Sequence, residues 1–329
     1  MRTHIGRLLT LAAALFVLAT AGISLAAEKT YVMKLSTQLN ETTPMVRGFK
    51  QLAENVKKAS GGRLTIEVFP SAQLGSDEDV IEQAKQGVNV AVLTDGGRMG
   101  NYVREFGIIG MAYFADNYDD VLKVVESPTY KEWETRLSKE GIHVLSFNWY
   151  DGPRHFLTHA PIKVPADLNG KRIRTPGAPA WAESVRAMGA TPVAMPWGEV
   201  YSAVQSKAID GCEVQDTSTL GSRTYEVLKY RNKTGHFQLI NGLIVGERWF
   251  QTLPADLQKI LVDETKAEGQ RNARLVEKEI VEIEKKLTEF GMTTTQPDVA
   301  AFKKAADAAY EKLNFSALRA QIYKEIGKK

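Results

Sequence analysis

The pattern of apolar and polar positions divides the N-terminal part of the chain into three strands and two helices. Residues 31–36 and 63–69 alternate between apolar and polar side chains, and residues 88–93 form a short apolar run typical of a buried strand. Residues 44–59 and 75–87 instead carry apolar side chains at helical spacing, and glycine lies at or just after the end of each segment. The order β-α-β-α-β predicts a parallel sheet with helices packed on it.

A second region, residues 169–216, repeats this order as strand, helix, strand, helix and strand within about 45 residues. Its first strand carries Arg172 and Arg174 on either side of one apolar residue, after a turn at Asn169 and Gly170. This region is therefore predicted to form a further parallel β-α-β unit.

The C-terminal part of the chain is dominated by one long helical pattern. From Ala255 to Phe290 it extends over about 35 residues, nearly 50 Å at about 1.5 Å per residue. That length exceeds the width of one lobe, so we expect the helix to lie across two lobes, with a bend near Glu268-Gly269. The other predicted elements are strands at residues 142–149, 155–159 and 237–245, and helices at 116–125, 130–140, 217–228, 299–313 and 316–326.

The first residues have the pattern of a secretory signal peptide. Arg2 and Arg7 precede an apolar run at residues 8–18, and small residues follow up to a predicted cleavage site after Ala26 or Ala27. The apolar run is too short to span a membrane, and no later stretch reaches 18 apolar residues. The sequence therefore predicts an exported, periplasmic protein.

Composition narrows the possible partners. The 42 basic residues less Arg2 and Arg7 leave 40 against 39 acidic ones, so the net charge after cleavage is close to zero and argues against a nucleic-acid partner. Cys212 is the only cysteine, which excludes an intrachain disulfide. Any preference for anions must therefore come from a local site.

Arg174 is the first candidate for such a site. It stands at the carboxyl end of a predicted parallel strand, where open α/β sheets bind ligands in a crevice. A guanidinium group in that position can hold a carboxylate through two hydrogen bonds. The alternative is that Arg174 forms a structural ion pair.

Short motifs along the chain, taken in their order and spacing, carry a resemblance to a known family. They are Ser60-Gly-Gly-Arg63, Phe69-Pro70, Leu74-Gly75, Gly152-Pro-Arg154, Asp167-Leu-Asn-Gly-Lys-Arg-Ile-Arg174, Met188-Gly-Ala-Thr-Pro-Val193, Glu199-Val-Tyr-Ser-Ala-Val-Gln205, Ile209-Asp-Gly211, Tyr225-Glu-Val-Leu-Lys-Tyr230, Thr234-Gly-His236 and Leu253-Pro254. Over essentially its whole length, the chain resembles the extracytoplasmic substrate-binding subunits of tripartite ATP-independent periplasmic (TRAP) transporters, the DctP family.

The resemblance implies an α/β fold of two lobes arranged like a clam shell. Each lobe would be a mostly parallel sheet flanked by helices, and the long C-terminal helix would span both lobes. After the signal peptide at residues 1–27, lobe I would comprise residues 28–151 and about 240–280. Lobe II would comprise residues 152–239 and about 281–329.

The resemblance also implies that an organic anion is held in the cleft between the lobes. Arg174 would be the main carboxylate ligand, and Arg154 would join it. The family often has Asn where this chain has Val214, so the third polar anchor would be missing or replaced by Gln215 or Asp216. This departure bears on which substrates fit.

Other candidates come from positions near predicted strand ends and helix starts. Trp149, Trp197 and, less strongly, Trp181 could form aromatic walls, although core packing is the commoner role of tryptophan. A carboxylate in the cleft, at Asp95 or Glu213, would repel a second ligand anion and favour an ammonium group, as in an amino acid or a short peptide. The alternative is that each of these carboxylates is paired with a structural Lys or Arg. The remaining candidates are Gln38, Asp95, Tyr201, Glu213 and Phe237.

Two other classes of function remain open at this level. A secreted α/β enzyme is not favoured, because the sequence has no Gly-x-Ser-x-Gly motif, no phosphate-binding glycine-rich loop with Lys, and no zinc signature. The pair His155 and His159 lacks an acidic partner, so neither a metal nor a cofactor is predicted. A periplasmic sensor could use the same fold. The favoured prediction is a periplasmic protein that binds a small organic anion (carboxylate) and delivers it to a TRAP permease. The alternative ligands are sulfonates, amino acids or short peptides.

Overall fold

Nine strands form one mixed sheet within residues 29–328, the part of the chain that the computed structural model describes; the predicted signal peptide lies outside it. The strands are β1 (Tyr31–Ser36), β2 (Leu64–Phe69), β3 (Val90–Asp95), β4 (Ile142–Thr158), β5 (Arg172–Thr175), β6 (Thr191–Ala194), β7 (Gly211–Gln215), β8 (Tyr230–Gly246) and β9 (Thr293–Thr295). Their order is β2-β1-β3-β8-β4-β7-β5-β6, with β9 paired to β8. Most pairings are parallel, which confirms the predicted α/β class.

Twelve α-helices of the described residues pack around this sheet. They are α1 (Pro44–Ala59), α2 (Asp77–Lys85), α3 (Gly96–Met99), α4 (Tyr118–Val125), α5 (Pro128–Lys139), α6 (Pro179–Ala187), α7 (Val200–Gln205), α8 (Asp216–Gly221), α9 (Glu247–Phe250), α10 (Ala255–Glu289), α11 (Val299–Lys312) and α12 (Ser316–Glu325). Local sequence signals explain where the first helices begin. Thr43 caps α1 ahead of the first-turn Pro44, and Ser76 and Asp79 form a capping box at α2.

The two strands β4 and β8 join the two halves of the sheet. Each has 17 residues, and they pair antiparallel along most of their length with several register shifts. We call β1, β2 and β3 with the adjoining ends of β4 and β8 the first half, and β5, β6 and β7 with the opposite ends the second half. The prediction of separate short strands at 142–149, 155–159 and 237–245 was wrong, because β4 and β8 pair on both sides of Gly152 and Gly235, with a register shift beside each glycine and a positive φ at both.

Apolar clusters cover both faces of each half. In β3, Val90 and Val92 pack in one cluster with α2, α4 and α5, whereas Ala91 and Leu93 pack in another with α1 and the start of α10. This division follows from the two-residue period of a strand. Two further clusters cover the second half in the same way.

Helix α10 contributes to the cores of both halves, as the sequence predicted for a helix of this length. Leu257 and Leu261 near its start pack in a first-half cluster, and Ile283 and Leu287 near its end pack in a second-half cluster. The helix is continuous over 35 residues. It therefore ties the two halves together along one side.

The last helix lies elsewhere than the predicted boundaries place it. Those boundaries assign residues 281–329 to lobe II, yet Ile322 of α12 packs in a first-half cluster and the hydroxyl of Tyr323 donates to the carbonyl of Phe114 at 2.8 Å. The end of the chain thus returns to the first half. No helix among residues 29–328 has the length and apolar character needed to cross a membrane.

Candidate functional site

A cavity lies at the carboxyl ends of β1, β3, β5 and β7, bordered by the middle of β4 and β8. Strand ends from both halves of the sheet therefore face one space, as expected for ligand sites in α/β folds. Its lining residues are Thr37, Gln38, Leu39, Asp77, Leu93, Thr94, Asp95, Arg98, Asp151, Arg154, Arg174, Pro176, Trp197, Val214, Gln215, Ser218, Leu239 and Asn241.

Arg174 lines this cavity from β5 without a carboxylate partner among the described residues. It is 2% exposed, its Nε donates to the carbonyl of Met195 at 2.9 Å, and its Nη2 has no hydrogen-bond partner. Burial, reinforced by the nearby charge of Arg98, lowers the pKa of Arg174 to about 10, so it stays protonated at neutral pH. The structural ion pair considered above is therefore not what holds Arg174.

Arg154 also lines the cavity, but a carboxylate already neutralises it. Its Nε donates to Glu213 Oε2 at 2.5 Å, its Nη2 to Glu213 Oε1 at 2.8 Å, and its Nη1 to Gln215 Oε1 at 2.8 Å. Strand pairing explains the contacts, since Arg154 on β4 lies opposite Gln215 on β7. Burial opposes the ionisation of Glu213, yet the charge of Arg154 holds the pKa of Glu213 below its usual value.

Trp197 and Gln38 line the cavity together. The guanidinium carbon of Arg174 lies 5.3 Å from the centre of the Trp197 ring, a cation–π distance. The backbone N–H of Trp197 donates to Gln38 Oε1 at 3.3 Å, which joins the second half to the loop after β1. Both predicted residues are thus brought to the site.

Asp95 lines the cavity as part of an ion pair rather than as a free carboxylate. Its Oδ2 accepts from Arg98 Nη1, and its Oδ1 accepts from the Arg98 backbone N–H at 3.0 Å and from Trp181 Nε1 at 2.7 Å. Burial opposes ionisation, but Arg98 and Trp181 hold the pKa of Asp95 below its ordinary value. A Cβ on Gly97 would lie 2.1 Å from Trp181 Nε1, so glycine is required for this approach.

Two further cavity carboxyls are poorly compensated. Burial raises the pKa of Asp77 to about 7, although Arg98 Nη2 lies 3.7 Å from its Oδ2. Burial likewise raises the pKa of Asp151 to about 6, against hydrogen bonds from Thr217 Oγ1 at 2.8 Å and Gln215 Nε2 at 2.6 Å. Both groups favour a ligand that donates hydrogen bonds to them or leaves them protonated.

Four predicted site residues lie outside the cavity lining. Trp149 is fully buried in the first-half core, where its ring centre lies 5.0 Å from that of Phe49. Tyr201 lies on α7 and its hydroxyl donates to Glu226 at 2.8 Å. Phe237 packs against Trp181, and Glu213 is buried behind Arg154. These positions correct the expectation of an aromatic wall at Trp149. Of the two alternatives for Glu213, a carboxylate available to a ligand ammonium group or a structural ion pair, the structure has the ion pair.

Sequence reasoning missed Arg98, Asp77, Asp151 and Asn241. Arg98 follows β3 in Asp95-Gly-Gly-Arg98, and a charged residue just after a parallel strand is the signal that could have identified it. Asp77 lies in the acidic first turn of α2, where its charge is already explained by the helix dipole. Asp151 and Asn241 reach the cavity from the middle of β4 and β8. Asp151 falls in the break between the predicted strands 142–149 and 155–159, whereas Asn241 lies inside the predicted strand 237–245.

Gln215 supplies the polar side chain that is missing at Val214, where the family often has Asn. Val214 is buried and borders the cavity, and Gln215 supplies polar groups by accepting from Arg154 and donating to Asp151 Oδ2. Asp216 is directed elsewhere, with its Oδ1 2.8 Å from Arg231 Nε. Gln215 is thus the polar residue that this chain places at the end of β7.

Chemically, the arrangement suits binding of an anion. Cys212 is buried next to Arg174 on β7, and burial raises the pKa of its thiol to about 12, so it carries no thiolate at neutral pH. Among residues 29–328, no group of three or more His, Cys, Asp or Glu side chains is placed to hold a metal ion.

Comparison with known proteins identifies the family to which this chain is similar. A family model described as bacterial extracellular solute-binding protein, family 7 (DctP), matches residues 35–316. The sialic acid-binding periplasmic protein SiaP of Vibrio cholerae is 25% identical over 282 residues, which cover 86% of this chain and 88% of that protein.

Solved structures agree over nearly the whole length. A TRAP periplasmic solute-binding protein from Ochrobacterium anthropi with bound L-fuconate has a TM-score of 0.88 and 31% identity, covering 90% of this chain and 99% of that chain. One from Actinobacillus succinogenes with bound L-galactonate has a TM-score of 0.86 and 26% identity, covering 90% and 99%. The match of sequence and fold shows that this chain belongs to family 7 of the bacterial extracellular solute-binding proteins, the DctP family.

Proposed function

We propose that this protein binds a small organic acid with the ligand carboxylate on Arg174. The observation that carries the proposal is a buried guanidinium that lines the cavity, has no carboxylate partner among residues 29–328 and keeps Nη2 without a hydrogen bond. Leaving such a charge buried is costly, and a ligand carboxylate compensates it through charge-assisted hydrogen bonds. Arg154 adds positive charge nearby, while the ring of Trp197 lies against the Arg174 guanidinium at a cation–π distance.

The ligand class we propose is that of acid sugars. Relatives and structural neighbours of this chain are a sialic acid-binding protein and proteins with bound L-fuconate and L-galactonate. Polar side chains such as Thr37, Gln38, Thr94 and Asn241 line the cavity and suit hydroxyl groups.

The proposed mechanism is capture by closure, with no bond made or broken. The first and second halves act as lobes I and II, and β4, β8 and α10 connect them. Closure on the ligand removes water from the site and strengthens the contact with Arg174. The family and the predicted signal peptide support a periplasmic location, and the closed protein delivers its ligand to a TRAP permease.

Isothermal titration of purified protein with L-fuconate, L-galactonate, D-glucuronate, sialic acid and succinate tests the proposal, with Arg174→Ala beside the wild type. We expect Arg174→Ala to weaken the best-binding acid by at least about tenfold, because each charge-assisted hydrogen bond contributes about 1.5–3 kcal/mol. Arg172→Ala is the matched control, since Arg172 lies on the same strand but pairs with Asp210 outside the cavity.

The control variant should bind like the wild type. Equal affinities of Arg174→Ala and wild type for the best-binding acid would show that the carboxylate anchor lies elsewhere. Absence of binding to every acid by the wild type would contradict the proposed ligand class.

A further inference from the structure

Buried polar atoms without hydrogen-bond partners converge on the cavity from both halves. They are Thr94 Oγ1, Arg98 Nη2 and Asp77 Oδ1 from the first half and Arg174 Nη2 from the second. Buried polar groups in folded proteins are normally paired, so these four atoms define what a ligand must offer. The two guanidinium nitrogens require acceptors, Asp77 Oδ1 requires a donor when it is ionised, and the Thr94 hydroxyl takes either.

Asp77 is the informative member of this set. It is 4% exposed at the start of α2 and lines the cavity. Its Oδ2 lies 3.7 Å from Arg98 Nη2, while its Oδ1 has no partner. A ligand carboxylate brings only acceptors at neutral pH and cannot satisfy Asp77 Oδ1, whereas a ligand hydroxyl group can.

The charges around the cavity also favour a ligand with one carboxylate and hydroxyl groups. The three guanidinium groups of Arg98, Arg154 and Arg174 line the cavity with three carboxyl groups, those of Asp77, Asp95 and Asp151. A fourth carboxyl group, that of Glu213, lies behind the lining and is paired with Arg154. One ligand carboxylate is accommodated by unpaired Arg174, but a second would enter a region that already has more carboxyl than guanidinium groups. A ligand ammonium group beside Asp77 would meet the positive charges of Arg98 and Arg174.

Resting on the proposed function, we infer that Asp77 is a specificity-determining residue that accepts a hydrogen bond from a ligand hydroxyl. The cavity thereby selects hydroxylated monocarboxylates and rejects dicarboxylates and amino acids. Arg174 supplies affinity for the ligand carboxylate, and Asp77 selects for hydroxyl groups on the rest of the ligand.

A purely structural role for Asp77 predicts a different result. If Asp77 served only to neutralise Arg98, its replacement would change stability and would affect all ligands alike. A ranking of ligands therefore separates the two roles, and a single affinity does not.

The experiment compares six-carbon acids by isothermal titration at pH 8. L-galactonate, L-fuconate and D-glucuronate are the hydroxylated monocarboxylates; galactarate adds a second carboxylate, hexanoate lacks hydroxyl groups, and 6-aminohexanoate adds an ammonium group. Wild type, Asp77→Asn and Arg174→Ala are measured. Glu82→Gln is the control, the same kind of change on the same helix, since Glu82 contacts Tyr102 and Lys85 outside the cavity.

We expect the wild type to bind one of the hydroxylated monocarboxylates at least about tenfold more tightly than galactarate, hexanoate or 6-aminohexanoate. In Asp77→Asn, the preference over galactarate and over hexanoate should each shrink by about tenfold, and Glu82→Gln should keep both. Unchanged preferences in Asp77→Asn, or a wild type that prefers galactarate or 6-aminohexanoate, would overturn the inference alone. No binding of any acid, or binding unaffected in Arg174→Ala, would overturn the proposed function with it.

Discussion

At the scale of single residues, the site is defined by how completely each buried charge is compensated. Arg154 has Glu213, Arg98 has Asp95, and Arg174 has no carboxylate partner among the described residues. A buried uncompensated charge costs free energy, so the ligand-free protein is less stable than it would be with Arg174 paired. A ligand carboxylate that pairs with Arg174 would remove this cost.

The pH dependence of stability should reveal this cost at Asp77. Its pKa of about 7 lies above its ordinary 3.8, because burial outweighs the attraction of Arg98 while Glu78 and Asp95 add repulsion and Arg174 a further attraction. A carboxyl whose folded pKa is raised favours folding most below its unfolded pKa, and that contribution is lost as the pH rises to about 7. Asp77→Asn, which cannot ionise, should therefore unfold at higher urea concentration than wild type at pH 8, and the difference should shrink towards pH 4.

Urea unfolding of the ligand-free proteins at pH 4, 6 and 8 measures this difference. Glu82→Gln provides a control of opposite sign, because a hydrogen bond from Tyr102 lowers the pKa of Glu82 and its contribution is present above the unfolded pKa. That variant should be less stable than wild type at pH 8 and equal to it at low pH. A stability difference between Asp77→Asn and wild type that is constant from pH 4 to 8 would contradict the assignment.

The sequence predicted Arg174, Trp197 and Gln38 at the site because each lies in or near the end of a short local element. Local pattern cannot show which charges pair, since Glu213 and Arg154 are 59 residues apart and meet only through adjacent strands. For this reason the sequence left open whether Glu213 is free or paired. Arg98 was missed although it is local, because its short helix α3 gives no periodic pattern.

At the scale of elements, helices and short parallel strands were predicted well, whereas the two long strands were broken into pieces. Gly152 has a φ of 96° and Gly235 a φ of 56°, and both read as turns from sequence alone. Each lies inside a strand because β4 and β8 support one another along their length. Pairing between segments that are distant in sequence therefore overrides the local signal.

Gly269 in α10 has a packing role that the sequence suggested only as a bend. A Cβ at this position would lie 2.3 Å from Asn148 Oδ1 and 3.0 Å from Trp149 Nε1, so α10 approaches β4 closely there. Gly269→Ala should destabilise the protein by about 1–3 kcal/mol in urea unfolding through overpacking. The sign of this change in stability separates two effects, because helix propensity alone favours alanine over glycine by about 1 kcal/mol and would stabilise the variant.

Gly198→Ala is the control for that prediction, since a Cβ at Gly198 meets no atom within 4 Å. Its stability should stay close to that of wild type. A Gly269→Ala variant more stable than wild type would mean that helix propensity outweighs packing, and that the close approach of α10 to β4 is not required.

At the scale of the whole molecule, hydrogen bonds join segments of the first half to segments of the second half. Trp181 Nε1 donates to Asp95 at 2.7 Å, the Trp197 backbone N–H to Gln38 at 3.3 Å, and Asn101 Nδ2 to the carbonyl of Gly177 at 3.0 Å. The Trp181 bond has the strongest basis, because its acceptor is a buried carboxylate held ionised by Arg98. Closure of the proposed lobes therefore depends on contacts made by the protein as well as by the ligand.

Trp181→Phe tests this dependence, because it removes the indole N–H and keeps an aromatic ring against Phe237, whose centre lies 4.1 Å away. Losing a hydrogen bond to an ionised group shifts the equilibrium towards the open form, so affinity for the best-binding acid should fall by about tenfold. The radius of gyration of the ligand-free variant in small-angle X-ray scattering should exceed that of wild type. Trp133→Phe, a change within the first-half core alone, should alter stability and leave both readouts unchanged. If Trp181→Phe keeps the wild-type radius and affinity, the bond to Asp95 forms without controlling closure, and the ligand alone must hold the lobes together.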